Sequence, residues 1–186
     1  MPKSDQNAAH YFIETHLEAG RGEAIAFIEA ANGKRISYST LSANSSKVAG
    51  ALNRAGIKHE ERAAILMLDS IDYVEVFWGC LKAGVIAVPI NTLLAGAVYD
   101  TILSDSRASC LFVSAALLKV VEPVLAKNDY IRKVIVVGDH PLEDGFESYQ
   151  TFTKEAPEQA AVAVSPDETA FWLYSSGSTG QPKGVR

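Results

Sequence analysis

Ala170-Phe171-Trp172-Leu173-Tyr174-Ser175-Ser176-Gly177-Ser178-Thr179-Gly180-Gln181-Pro182-Lys183-Gly184 decides how the rest of the sequence is read. Ala170 to Tyr174 is an apolar run with the length and bulk of a buried strand. Four hydroxyls, three glycines and one lysine then fall within positions 175–184. Glycine tolerates positive φ and carries no Cβ, so backbone N–H groups can close around an anion. The Ser and Thr hydroxyls donate hydrogen bonds, and Lys183 adds a mobile point charge. Pro182 fixes φ just before the lysine and limits the directions of the loop. Such a segment suits the β- and γ-phosphates of a nucleotide.

Two common phosphate fingerprints do not fit. A Walker A loop, Gly-x-x-x-x-Gly-Lys-Ser/Thr, needs a hydroxyl after its lysine for Mg²⁺. Here Pro182 precedes Lys183 and Gly184 follows it. The glycine spacing also departs from the dinucleotide fingerprint. The plain alternative is a flexible glycine-rich tail, against which stand the ordered residue set and the apolar strand leading into it.

Ser175 to Gly184 resembles the phosphate loop of the adenylate-forming enzymes: acyl- and aryl-CoA synthetases, nonribosomal peptide adenylation domains and luciferases. Two upstream boxes resemble the same family in the same order. Ile36-Ser37-Tyr38-Ser39-Thr40-Leu41 is similar to its first motif, with Thr40 where Glu is usual, and Leu81-Lys82-Ala83-Gly84-Val85-Ile86-Ala87-Val88-Pro89-Ile90 is similar to its second. The likeness covers essentially the whole chain. Phe171-Trp172-Leu173-Tyr174-Ser175-Ser176, Asn91-Thr92-Leu93-Leu94 and Asp105-Ser106-Arg107-Ala108 resemble benzoate- and hydroxybenzoate-CoA ligases most.

The resemblance implies an ATP-dependent, AMP-forming ligase that uses Mg·ATP and takes coenzyme A as co-substrate. An aromatic carboxylate attacks the α-phosphorus of ATP, giving an acyl-adenylate and pyrophosphate; the thiol of coenzyme A then displaces AMP. Ser175, Ser176, Ser178 and Thr179 would donate to the β/γ-phosphates, Gly177 and Gly180 would permit close approach, and Lys183 would offset charge on the leaving pyrophosphate. The resemblance also implies that the ribose-binding motifs, the acid pocket, the hinge and a small C-terminal domain with a catalytic lysine lie beyond Arg186. The chain is therefore expected to be the N-terminal portion of an aryl-CoA ligase, without a catalytic residue of its own and inactive in isolation. A sheet ended just after its last motif exposes apolar surface, with a homodimer as one outcome. Two rivals stay open: an adenylation domain that loads a carrier protein, and a non-catalytic module that binds a nucleotide or a partner.

Composition sets the outer limits. A chain of 186 residues, 48% hydrophobic and 21% charged, is ordinary for a soluble globular protein. A formal net charge of −5 argues against generic nucleic-acid or anionic-membrane binding. The N-terminus has no apolar signal core, and Glu75, Lys82, Gly84 and Pro89 interrupt the most hydrophobic stretch, Val74 to Ile90. Cys80 and Cys110 form no CxxC pair and read as buried reduced thiols of a cytoplasmic protein. His10, His16, His59 and His140 are scattered, without metal-ligand spacing.

The fold class expected is α/β: a mostly parallel sheet with helices on both faces, preceded by an N-terminal helix and β-hairpin. Asn7 caps a helix from Ala8 to Glu18. Ala24–Glu29 and Lys34–Tyr38 form a hairpin about Asn32-Gly33. A helix covers Thr40 to Ala55, ended by Gly56. From Arg62 the pattern is β-α-β-α: strands at Ala63–Leu68, Val85–Val88, Cys110–Val113 and Lys133–Val137, and helices at Tyr73–Lys82, Ala97–Leu103 and Ala115–Lys127. Uninterrupted apolar strands alternating with helices indicate a parallel sheet covered on both faces. Gly138–Glu147 reads as an exposed polar turn region, with a short helix over Tyr149–Glu155. The expected division is 1–61 (helix, hairpin, helix), 62–156 (βα repeats), 157–169 (connector) and 170–186 (strand and phosphate loop), all part of one large N-terminal domain. Asp69 or Ser70 is expected to cap the Tyr73–Lys82 helix, capping being the expected role of Asp69, and solvent at a helix C-terminus accounts for Lys82. Tyr38 and Trp78 read as core aromatics.

Overall fold

The computed structural model describes residues 3–141, 144–176 and 182–185. Residues 8–18 form one helical run. Its middle, His10–Glu14, widens to a π-helix before α1 (Thr15–Glu18). Asn7 caps this run as expected: its Oδ1 accepts from the Ala9 N–H at 2.9 Å, and its buried Nδ2 donates to Leu81 O at 2.8 Å. β1 (Ile25–Ile28) and β2 (Arg35–Ser37) make the antiparallel hairpin, with Gly33 at φ +74° in its turn. Only glycine and a few short polar residues adopt that backbone cheaply. α2 (Tyr38–Arg54) starts at Ser37, whose hydroxyl accepts from the Thr40 N–H.

The central sheet follows. β3 (Arg62–Leu66), α3 (Ile71–Lys82), β4 (Ile86–Pro89), α4 (Gly96–Ser106), β5 (Cys110–Ser114), α5 (Leu118–Leu125) and β6 (Lys133–Val137) alternate as the apolar runs predict. β7 (Phe146–Ser148) adds a fifth strand before α6 (Tyr149–Lys154). All neighbours pair in parallel in the order β4-β3-β5-β6-β7. In that order the chain winds outward from β3 in both directions, and the crevice where the direction reverses lies between β3 and β5. One face packs against α2, α3 and α6 through Val48, Leu52, Val76, Cys80 and Phe152. The other packs against α4 and α5 through Tyr99, Ile102, Leu103, Leu118 and Val121.

Several expectations are corrected. Phe146–Ser148 overlaps the end of the region read as an exposed turn. It is a short, half-buried edge strand whose Glu147 pairs with Lys133 at 2.9 Å, so it lacks the apolar run that marks an inner strand. Of the two expected caps of α3, Ser70 serves and Asp69 does not: the Ser70 hydroxyl accepts from the Tyr73 N–H at 3.2 Å. The helix expected over Ala115–Lys127 opens as a 3-10 turn at Ala115–Leu117, and α5 ends at Leu125.

Lys82 is the largest departure. Its side chain is 1% exposed rather than solvated, because α3 turns the lysine inward onto α2 and the N-terminal helix. Its Nζ lies 2.6 Å from Glu14 Oε1 and donates to Ser42 O at 2.9 Å, Ser42 Oγ at 3.0 Å and Ser46 Oγ at 2.9 Å. Burial pushes the ammonium below the ordinary lysine value, and the Glu14 hydrogen bond and charge push it back up. Cys80 and Cys110 are buried and unbridged, as expected, and burial pushes the Cys80 thiol up to about 12.

Candidate phosphate-binding hairpin

The apolar run at 170–174 leaves the connector alongside β4. The Ala87 N–H donates to Ala170 O at 3.3 Å and the Trp172 N–H to Ala87 O at 2.9 Å, around a parallel bridge between Ala87 and Phe171. β8 (Leu173–Ser176) and β9 (Pro182–Val185) then pair with each other, antiparallel, as a separate hairpin. This corrects the expectation of a buried strand: Phe171 is 41% and Leu173 50% exposed. A segment bridged to the rim of the sheet has one packed side, so alternate residues, Trp172 and Tyr174, carry the packing.

The hairpin register brings two of the expected site residues together. Ser175 stands opposite Lys183, and Tyr174 opposite Gly184. Directly opposed residues leave the same face of the pair with Cβ atoms about 5 Å apart. Ser175 and Lys183 therefore share one face, and both are exposed. Ser176 pairs with Pro182 at the end of the ladder. Gly177, Ser178, Thr179 and Gly180, the other expected site residues, lie outside the described residues.

Tyr174 holds the other face. Its hydroxyl donates to Asp105 Oδ2 on α4 at 2.6 Å. Burial, then the bond to Asp105 and that residue's charge, push the Tyr174 phenol well above the ordinary range, against a smaller pull from Arg62. A Cβ added at Gly184 would lie 3.3 Å from Tyr174 Cζ, so the ring rests on the glycine across the pair. Trp172, one alternation earlier, has the Arg62 guanidinium 6.0 Å from its ring centroid. Arg62 in turn donates to Ser106 O at 2.8 Å and Arg107 O at 3.1 Å, at the carbonyl end of α4. Sequence reading missed Asp105 as a partner of the loop. The available signal was an acidic residue at the C-terminal end of a helix, where the dipole disfavours it.

Two clefts flank the hairpin. One, of 360 Å³, is bounded by Leu94, Val98, Ile102, Tyr174, Ser175 and Pro182. The other, of 400 Å³, lies between Leu173 and Tyr174 and the C-terminal ends of β3 and β4, with Met67, Asp69, Pro89 and Asn91 on its wall. Ligands of doubly wound sheets bind at that end of the strands. The hairpin thus presents a hydroxyl and an ammonium side by side, with a mainly apolar cleft on one flank and a mixed polar and apolar one on the other. Such a surface suits an anionic group attached to a larger organic body. Among the described residues no group of three or more His, Cys, Asp or Glu side chains could hold a metal ion, and no helix is long and apolar enough to cross a membrane.

The sequence model of the family described as AMP-binding enzyme matches residues 14–186. The chain belongs to the AMP-binding enzyme family. It is 38% identical over 188 aligned positions to the 4-hydroxybenzoate–CoA/benzoate–CoA ligase of Rhodopseudomonas palustris, covering 100% of this chain and 34% of that one. It is 36% identical to the benzoate–CoA ligase of Thauera aromatica, covering 96% of this chain and 33% of that one. Among solved structures, the anthranilate CoA ligase AuaEII in complex with anthranoyl-AMP superposes with a TM-score of 0.89 at 30% identity, over 98% of this chain and 36% of that one. The chain therefore spans about a third of the length of the curated relatives it matches. Its α/β fold is that of adenylate-forming enzymes, as the three sequence boxes imply.

Proposed function

We propose that this chain is the N-terminal, phosphate-handling portion of an ATP-dependent, AMP-forming aryl-CoA ligase. The observation that carries the reading is the hairpin register: Ser175 and Lys183 are opposed on one exposed face. Similarity to two benzoate–CoA ligases and to an anthranilate CoA ligase supports an aromatic carboxylate as substrate. In the proposed ligase, 1–156 would form the scaffold, 157–169 the connector and 170–186 the strand and phosphate loop.

In the first step a carboxylate oxygen forms a bond to the α-phosphorus of ATP, and the bond to the bridging oxygen breaks. Pyrophosphate leaves with the electron pair. Hydroxyls and amides of Ser175, Ser176, Ser178 and Thr179, with Gly177 and Gly180 allowing the backbone to approach, would donate to the β- and γ-phosphates. The Lys183 ammonium would offset the charge that grows on the leaving group. In the second step the coenzyme A sulfur bonds to the acyl carbon, AMP departs and the thiol proton is released. Mg²⁺ would accompany the nucleotide as Mg·ATP and offset phosphate charge. Benzoate-dependent ATP–pyrophosphate exchange by the ligase carrying this chain tests the reading. Robust exchange with benzoate or a hydroxybenzoate is expected, and its absence with every aromatic acid would overturn the substrate assignment.

A further inference from the structure

We propose that Asp105 is a positioning residue for the phosphate-binding hairpin, acting through the hydroxyl of Tyr174. The inference rests on the phosphate-binding reading of that hairpin. Ser175 and Lys183 sit on a two-stranded ribbon outside the five-stranded sheet. An isolated hairpin is marginally stable in water, so something else must fix where it points. Two side chains on its inward face do so. Trp172 packs with the α4–α5 core and lies beneath Arg62, which also binds the last carbonyls of α4. Tyr174 reaches Asp105 across 69 positions of sequence.

The placement of Asp105 points the same way. α4 ends at Ser106, and Arg107 follows in the left-handed conformation at φ +48°. A carboxylate one residue from that end faces the negative pole of the helix, which is unfavourable. Among the described residues it makes no salt bridge. What it does make is a 2.6 Å bond to a phenol, a charge-assisted contact stronger than a neutral one. The Tyr174 ring lies across Gly184, and the next pair along the ladder is Ser175 with Lys183. The phenol is thus fixed at both ends: by Asp105 at its oxygen and by the ribbon beneath its ring. Losing the Asp105 end would free the ribbon to swing while leaving the sheet intact.

Hydrogen exchange of the β8 and β9 amides in the 186-residue chain reads this directly. Tyr174→Phe and Asp105→Ala should each speed hairpin exchange about tenfold, the usual worth of one hydrogen bond to a charged group. The double variant should be no faster than either single one. Asp105→Asn should keep most of the protection, because its amide oxygen still accepts. Amides of β5 should be unchanged in all four. Unaltered hairpin exchange, additive effects in the double variant, or equal acceleration in β5 would overturn the proposal. Calorimetry with inorganic tripolyphosphate separates it from the reading beneath. Weaker binding in Asp105→Ala supports the positioning role, and undiminished binding despite a loosened hairpin overturns it. If the unaltered chain does not bind tripolyphosphate, the phosphate reading fails, and the exchange experiment still decides whether Asp105 fixes the ribbon.

Discussion

Removing the Glu14 carboxylate should unsettle this protein more than removing the lysine it faces. Lys82 is 1% exposed, whereas the Glu14 side chain is 24% exposed. In Glu14→Gln the ammonium stays buried, with Ser42 and Ser46 as its remaining charge-neutral partners. Stranding one member of a buried pair costs about 3–5 kcal/mol, and the three serine contacts place this case near the lower end, about 3 kcal/mol. In Lys82→Met the stem volume is kept and the Glu14 carboxylate can turn to water, so the cost should be about 1 kcal/mol. The double variant, with neither charge, should recover most of the Glu14→Gln loss.

The pH dependence separates this from a packing defect. Burial lowers the folded ammonium below the ordinary 10.5, so between the two values the unfolded chain binds more protons. Stability therefore rises with pH through that window. In Glu14→Gln the counteracting charge is gone, the folded value falls further, and the window widens downward. The deficit of this variant should shrink as pH is raised from 7 towards about 10. Urea unfolding followed by the fluorescence of Trp78 and Trp172 measures all of this. Equal losses for Glu14→Gln and Lys82→Met, or a deficit that grows with alkaline pH, would refute the reasoning.

Two further outcomes follow from the fold. Ser70→Ala should lose about 1 kcal/mol in the same urea titration while Asp69→Ala changes little, because the Ser70 hydroxyl meets the α3 N-terminus. Neither Cys80 nor Cys110 should react with iodoacetamide at pH 8 in the folded chain, since burial keeps both thiols protonated; both should be alkylated in urea, as detected by mass spectrometry.

Much of the architecture was legible because parallel strands are covered on both faces. Ala63 to Leu66, Cys110 to Val113 and Val134 to Val137 are unbroken apolar runs, and the same burial that shows them in the sequence holds them in the sheet. β7 was illegible because Phe146-Glu147-Ser148 is a half-buried edge, where alternation over three residues is too short to register. The run before the proposed phosphate loop misled for the opposite reason. Its bulk is that of an inner strand, yet Phe171 and Leu173 face outward, and hydrophobicity alone does not say which side of a segment is packed. Lys82 lies at a helix C-terminus, where solvent is the expected surrounding, and the approach of Glu14, Ser42 and Ser46 from other elements makes its site interior. Strand order and the Tyr174–Asp105 bond likewise join positions far apart in the chain.

At the candidate site, residue chemistry was readable and geometry was not. Hydroxyls, glycines and a lysine in a short span suit an anion, provided the backbone turns its amides inward. That Ser175 and Lys183 oppose each other on one face needed the antiparallel register of β8 and β9. The three boxes indicated the family correctly, as the match over residues 14–186 shows.

The central claim is that this hairpin holds the phosphates of ATP while pyrophosphate leaves. It is met most directly by ATP–pyrophosphate exchange in the proposed ligase, with and without Lys183→Ala. Loss of one preorganised charge aimed at a leaving group should slow exchange about 10²-fold, with the apparent affinity for the aromatic acid unchanged. Exchange at the unaltered rate, or a loss confined to acid affinity, would contradict it.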